Sequence, residues 1–320
     1  MLELGFSLSS EEHAPLALVR QAARAEEAGF GFALISDHYH PWLDQQGQSP
    51  FVWTTLGGIA QATGRLRLGT GVTCPLIRVH PAIVAQAAAS TQAIFEGRFF
   101  LGLGTGEYLN EHIFGDPWPR ISIRQEMLEE AIKLIRHLWE GGLKSFEGDY
   151  YQVDRARVYT LPEPLPPIYV AAVGKSSAEL AGAAADGLIS IAPQASMVQS
   201  FDSAGGAGKP RYGQMTVCWA ETEEAAVETV LEWWPIVAIG GSLTSELAIP
   251  SYFEAAAKNV RPEDVKAAIP VGPDPERHLD RLREYALAGF DHVYIHQVGP
   301  DQEGFIRFCE REILPQAGRL

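Results

Sequence analysis

Cysteine is scarce. The three in the chain, Cys74, Cys218 and Cys309, are far apart and odd in number, which excludes a disulfide framework and a thiolate zinc site. Basic residues are outnumbered, 25 Lys and Arg against 40 Asp and Glu, so the formal charge of −15 argues against a protein built to hold a nucleic-acid backbone. No apolar run reaches the roughly 18 residues of a membrane helix. Met1-Leu-Glu-Leu-Gly5 enters a strand-like segment without a signal-peptide pattern, so a cytoplasmic location is expected, with no membrane partner. Internal repeats and low-complexity tracts are missing. So are H-E-x-x-H, G-x-S-x-G, paired-carboxylate and clustered Cys/His motifs, and no metal is expected.

What remains is an ordinary globular composition, 46% hydrophobic and 20% charged, with ample material for a core. A length of 320 residues fits two domains of about 150 or one large α/β barrel. Strand-like and helix-like segments alternate. Leu2–Leu8, Phe32–Ser36, Leu66–Val72, Phe99–Leu103, Ile168–Ala172, Leu188–Ile191, Met215–Trp219 and His292–His296 are continuous apolar runs, as parallel strands covered on both faces should be. Helices are expected over Pro15–Ala28, ending at Gly29, over Trp53–Thr63, Ala82–Phe95, Ser176–Ala185 and Thr222–Trp234, and from Asp274-Pro275 to Gly289. Ser122-Ile-Arg-Gln125 reads as a capping box before the apolar face Met127, Ala131, Leu134, Ile135 and Leu138. Phe305, Phe308, Cys309 and Ile313 mark a closing helix, and Lys144–Leu161 an inserted pair of strands. Eight strands with crossover helices predict an α/β fold, a (β/α)8 TIM barrel spanning residues 1–320 as a single domain, with an open doubly wound sheet as the alternative. Residues 235–273 lack a strand pattern and are expected to be a helical insertion; Gly205-Gly-Ala-Gly208 is expected to be a mobile loop.

Polar and glycine-rich sequence follows the strands, where barrel enzymes carry their chemistry. Asp37-His38 sets an imidazole beside a carboxylate, a pairing suited to proton transfer. His40, His80 and His296 have no such context. Trp42 is either a flat wall for an aromatic ligand or core. Glu107, after Gly104-Thr-Gly106, is either an acid or base in a tight turn or a helix-start carboxylate. Gly102-x-Gly104-x-Gly106 is not the dinucleotide fingerprint. Gly174-Lys-Ser-Ser177, between a strand and a helix, is either a phosphate cradle or a plain capped helix start.

Four segments in order carry a resemblance over nearly the whole chain: Ser36-Asp-His-x-x-Pro-Trp42, Pro81-Ala-Ile-Val-Ala-Gln86, Gly104-Thr-Gly-Glu-x-Leu-Asn-Glu111 and Gly148-Asp-Tyr-Tyr151. With them the chain resembles the luciferase-like barrel enzymes that use the deazaflavin coenzyme F420, in the branch of the glucose-6-phosphate and secondary-alcohol dehydrogenases. The resemblance implies a homodimer that moves hydride between an alcohol or sugar carbon and coenzyme F420. His38 then takes the hydroxyl proton, Glu107 protonates the reduced ring nitrogen, and Trp42 lines the space between substrate and ring. Asp37, Thr105 and Asn110 become polar cofactor contacts. Gly71 and Val72 become a bulge joined by a non-prolyl cis peptide beneath the ring, with Cys74 beside them. Gly174, flanked by Val173 and Lys175, faces the cofactor phosphate, Val173 replacing a family glycine. The residues that hold a sugar phosphate in the family fall on Ile191, Gln194, Thr244 and Ala268, none of them basic. A phosphate dianion needs charge-assisted donors, so an uncharged alcohol is expected in a pocket near Ile191, Trp219 and Trp233. Lys209 or Arg211 is the remaining route to a phosphate site. The same barrel superfamily also offers a reduced-flavin (FMN) monooxygenase as the alternative enzyme, and a barrel that only binds cofactor as the non-enzymatic one.

Overall fold

A strand followed by a helix recurs along the chain, and proline and glycine set many of the boundaries. The computed structural model describes residues 2–239, 241 and 243–319. In order come β1 (Glu3–Leu8), α1 (Pro15–Ala28), β2 (Phe32–Ile35), α2 (Val52–Ala62), β3 (Arg67–Thr70), α3 (Pro81–Ile94), β4 (Phe99–Leu103), α4 (Tyr108–Glu111) and α5 (Ile121–Trp139). After β5 (Lys144–Glu147) and β6 (Gln152–Ala156) follow β7 (Ile168–Ala171), α6 (Lys175–Ala184), β8 (Gly187–Ser190), α7 (Ala195–Phe201), β9 (Arg211–Val217) and α8 (Glu223–Trp233). A turn at Pro235–Ala238 leads into α9 (Leu243–Glu246), α10 (Pro250–Ala257), α11 (Pro262–Ala268), α12 (Pro275–Ala288), β10 (His292–Gln297) and α13 (Gln302–Phe308). Helix α1 opens on Pro15, whose missing N–H is no loss in a first turn, and stops where Gly29 takes φ 105°. Helix α12 does the same: the Asp274 carboxylate accepts from the Glu276 N–H, and Gly289 takes φ 98°.

Strands β1, β2, β3, β4, β7, β8, β9 and β10 close into a parallel barrel in sequence order, β10 pairing back onto β1. This (β/α)8 closure excludes the open sheet. The β5–β6 hairpin stands outside it. Successive strand side chains point to opposite faces. On β9 and β10 the outward Met215, Val217, Val293 and Ile295 meet the helices. Tyr212 and Tyr294 point into the barrel beside Phe32, Leu34, Phe100, Tyr169 and Ile189. The Tyr212 ring lies 5.1 Å from Tyr169, 5.2 Å from Phe100 and 4.2 Å from His292. Phe32, Phe100, Tyr169 and Tyr212 are the first or second residues of their strands, so the N-terminal end of the barrel is plugged. An ionic group covers the plug: Glu3 contacts Arg67 and, at 3.3 Å, His292, whose other nitrogen meets Asp291.

One local expectation is corrected. Ser122 and Gln125 do not form a capping box; α5 starts at Ile121 after Arg120, and Gln125 reaches across to donate to Ser176 Oγ at 2.9 Å. In the Gly205–Gly208 segment Gly206 is buried, while Gly205, Ala207 and Gly208 are exposed. Residues 202–206 continue α7 as a wide turn with Gly205 at φ 101°, and Gly206 lies so close to Phe201 that a Cβ there would fall 2.5 Å from its ring.

Candidate active site

The open end of the barrel is the C-terminal one, and the segments after β1, β2, β3, β4 and β7 converge there. Behind β2, Asp37 and His38 are neighbours in an extended stretch and therefore diverge. Asp37 turns under the site: its Oδ1 accepts from Arg78 Nη2 at 2.9 Å and its Oδ2 from Thr73 Oγ1 at 2.8 Å. Buried and bonded to Arg78 and Thr73, Asp37 does not meet the His38 ring, which corrects the pairing read from sequence. The carboxylate that meets His38 is Glu11, whose Oε1 lies 3.3 Å from Nε2. The His38 Nδ1 faces the His40 carbonyl at 3.2 Å and so carries a hydrogen. Nε2 and Glu11 Oε1 then form a pair able to hold one proton between them.

Glu11 sits in Ser9-Ser-Glu-Glu-His13, the segment after β1. Its Oε2 accepts from Ser36 Oγ at 2.6 Å and from Ser9 Oγ at 3.1 Å. Burial alone would push this carboxyl up, but the His38 imidazole and the Ser36 hydroxyl hold it below the usual carboxylate range. Trp42 stands 4.9 Å from the His38 ring and leans on Phe253 of α10 at 5.2 Å. With Leu43, Leu109, Ile236 and Trp234, these two rings make an apolar cluster over the mouth. The wall comes from α10 and from Trp234 beyond α8. Trp219 instead packs on Phe308 of α13, and Trp233 joins the cluster between α8 and α11.

Glu107 is the residue before α4. Asn110 ties it to the His38 segment: Nδ2 reaches Glu107 Oε2 at 3.4 Å, while Oδ1 accepts from the N–H groups of Tyr39 at 2.9 Å and His40 at 3.3 Å. One buried amide thus fixes the two proton-carrying segments relative to each other. Beneath, Glu111 Oε2 accepts from the Ile77 and Arg78 N–H groups at 3.3 and 2.8 Å, and burial raises its carboxyl above the ordinary value.

Between β3 and β4 the floor is backbone. The Gly71–Val72 peptide is cis. A Cβ on Gly104 would sit 2.6 Å from Val72 Cγ2, and one on Gly106, at φ 72°, would sit 2.5 Å from Cys74 Sγ. Thr105 lies between these two glycines. Cys74 supports the turn from below, buried, its thiol pushed well up by desolvation. Across the mouth, Val173 is exposed, and Gly174 precedes α6 in open space, where an added Cβ would meet nothing within 4 Å. The Ser177 hydroxyl donates to the Gly174 carbonyl at 2.9 Å, and Lys175 is exposed beside Glu179 at 3.8 Å. The first N–H groups of this helix are left facing outward, where a helix favours anions.

The substrate positions separate. Ile191 is exposed at the end of β8, Gln194 precedes α7, and Thr244 lies on α9. Ala268 packs with Val227 and Val230 in the α8–α11 cluster. Lys209 and Arg211 are removed from the mouth. Lys209 Nζ donates to the Gly182 and Ala185 carbonyls at 2.7 and 2.9 Å, and Arg211, the first residue of β9, pairs with Asp202 at 2.8 Å. Glu11 was missed because a polar run after a strand reads as a solvated loop. Its place behind the first barrel strand was the available signal.

A closed parallel barrel with a glycine floor, a carboxylate-bound histidine and an aromatic wall at its C-terminal mouth is the layout of a (β/α)8 enzyme. The family model described as luciferase-like monooxygenase matches residues 3–292, and the chain belongs to that luciferase-like family. It is 34% identical to the F420-dependent glucose-6-phosphate dehydrogenase of Mycolicibacterium gilvum and 35% identical to that of Nocardia farcinica. In both cases the similarity covers 100% of this chain and 99% of the relative. Among solved structures it is similar to an F420-dependent secondary alcohol dehydrogenase in complex with an F420-acetone adduct, with a TM-score of 0.91, 29% identity and 98% of each chain covered.

Proposed function

We propose that this chain is a coenzyme F420-dependent dehydrogenase that exchanges hydride between the carbinol carbon of a neutral alcohol and the deazaflavin. The site fits that cofactor: the Gly104–Gly106 turn and Val72 leave a flat, side-chain-poor floor for an uncharged planar ring, and the exposed start of α6 beyond Gly174 suits its phosphate. The deazaflavin, when bound, supplies a two-electron hydride acceptor. The protein supplies the rest. Trp42 and the apolar wall exclude water and hold the carbinol against the floor. The pair formed by His38 Nε2 and Glu11 Oε1 takes up the hydroxyl proton as hydride leaves, and returns it in the reverse direction. Glu107, aligned by Asn110, is the second proton-exchanging carboxyl, on the cofactor side.

The observation that carries this reading is the Glu11–His38–Trp42 group standing at the glycine floor with Glu107 fixed to it through one amide. A neutral substrate is supported by the uncharged Ile191, Gln194 and Thr244, and by the withdrawal of Lys209 and Arg211 to the far end. The whole chain acts as one barrel unit in which Ile236 and Phe253, from the stretch after α8, belong to the substrate wall. It works in the cytoplasm as a homodimer; exposed Leu16, Phe51 and Ile83, at the starts of three neighbouring helices, are the candidate contact. Titration with the deazaflavin and with flavin mononucleotide, followed by tryptophan fluorescence, tests the cofactor, and tighter flavin binding refutes it. His38→Ala should lower turnover about 10²–10⁴-fold with little change in deazaflavin affinity.

A further inference from the structure

Two buried carboxylates stand side by side after β1, and they serve different imidazoles. Glu11 meets His38. Glu12 meets His296, its Oε2 lying 3.2 Å from Nε2, while its Oε1 accepts from the Gly299 N–H at 2.9 Å. His296 Nδ1 lies 3.4 Å from Thr216 Oγ1. The contacts close a ring: His38 to Trp42 at 4.9 Å, Trp42 to Phe253 at 5.2 Å, Phe253 to Trp234 in one apolar cluster, Trp234 to His296 at 4.5 Å, and back through Glu12 and Glu11. His296 and Thr216 are register partners on β10 and β9, each two residues above an inward-pointing one, Tyr294 and Gln214. They form the last inward layer before the mouth. Glu12 and His296 are buried, but Thr216 is partly exposed. With Tyr212 and Gln214 filling the layers below, an inward side chain at this height meets solvent only through the mouth.

We propose that Thr216 Oγ1, oriented by the Glu12–His296 pair, is a second polar contact for the substrate, and that the substrate is a neutral compound bearing a hydroxyl besides the one at the reacting carbon. This rests on the dehydrogenase reading above. With Glu12 Oε2 accepting the proton on His296 Nε2, Nδ1 is the ring's acceptor and takes the Thr216 hydroxyl proton. The Thr216 oxygen keeps its lone pairs for a further donor, on a partly exposed side chain held by a buried chain. A simple alcohol leaves the lone pairs of that oxygen without a donor from the substrate, whereas a second hydroxyl of a diol or unphosphorylated sugar donates to it. Thr216 is the contact; Glu12 and His296 are positioning residues.

The test compares cyclohexanol with the cyclohexanediols, and butan-2-ol with butane-2,3-diol and glucose, using the deazaflavin as acceptor. The native protein should favour the hydroxylated partner by about tenfold in kcat/KM, through KM rather than kcat. Thr216→Val should bring that ratio to near one, Thr216→Ser should retain it, and Glu12→Gln should reduce it several-fold by raising KM. Deazaflavin binding and thermal melting establish that each variant is folded. No preference in the native protein, or a preference that Thr216→Val leaves intact, overturns the inference alone. Bound deazaflavin with no turnover of any alcohol or sugar overturns the dehydrogenase reading and this inference with it.

Discussion

Replacing Glu11 by Gln separates its charge from its shape. The amide keeps the volume and an oxygen within reach of His38 Nε2, which lies 3.3 Å from Oε1 in the native pair. What is lost is the difference between a charge-assisted and a neutral hydrogen bond, about 1–1.5 kcal/mol, and that corresponds to about tenfold in rate. Glu11 is almost wholly buried, so solvent screening takes little from this figure. Single-turnover reduction of the deazaflavin by a saturating alcohol should therefore slow about tenfold in Glu11→Gln, with cofactor affinity and melting temperature close to native. His38→Ala sets the larger limit of about 10²–10⁴. In the double variant the Glu11 effect should vanish, because the charge then has no imidazole to act on, and the coupling energy of the cycle should equal the single Glu11→Gln loss. If Glu11→Gln costs a further tenfold in the His38→Ala background, Glu11 acts independently and the proton pair is wrong.

Gly104→Ala should drive a methyl against Val72 Cγ2, 2.6 Å from the added Cβ, costing about 1–3 kcal/mol of stability and more than tenfold in deazaflavin affinity; native affinity would mean the ring lies elsewhere. Burial alone would lower the His292 imidazole, but its contacts with Asp291 and Glu3 outweigh this and raise it above the usual histidine value. The stability it contributes is then complete below about pH 6.5 and is lost as pH rises through the folded value. Melting temperature should fall over that range and the fall should flatten in His292→Asn; equal slopes refute the clamp. All three thiols are buried and pushed upward, Cys218 to about 12, so iodoacetamide should leave the native protein untouched and modify three cysteines after guanidinium unfolding. Glucose 6-phosphate should be no better a substrate than glucose, and a clear preference for it would place an anion site at the mouth.

The barrel was legible because its signals are local. Pro15 with Gly29, and Asp274-Pro275 with Gly289, act within one helical turn, and the apolar strands need no knowledge of their neighbours. The site was legible only in part. His38, Trp42 and Glu107 stood out because they lie in dense post-strand motifs. Their partners did not, since Glu11 precedes His38 by 27 positions and Thr216 precedes His296 by 80, separations that only barrel closure erases. Adjacency misled where it was trusted: Asp37 beside His38 in sequence faces Arg78 in space. Arg124 shows the same limit. Nothing in the sequence marks it, yet it is buried, 4.1 Å over the Trp118 ring and bonded to the Pro119 carbonyl at 2.7 Å.

The tyrosine stack closing the lower half of the barrel turns the molecule into a cup. Whatever is oxidised must leave by the doorway through which it came, past the same aromatic rim. A cofactor held against the β3–β4 floor, as proposed above, would then be the first to arrive and the last to go, and a lingering product would block the next molecule at the threshold. Traffic through one entrance imposes a queue, set by the blind end of the vessel rather than by any group that touches the chemistry.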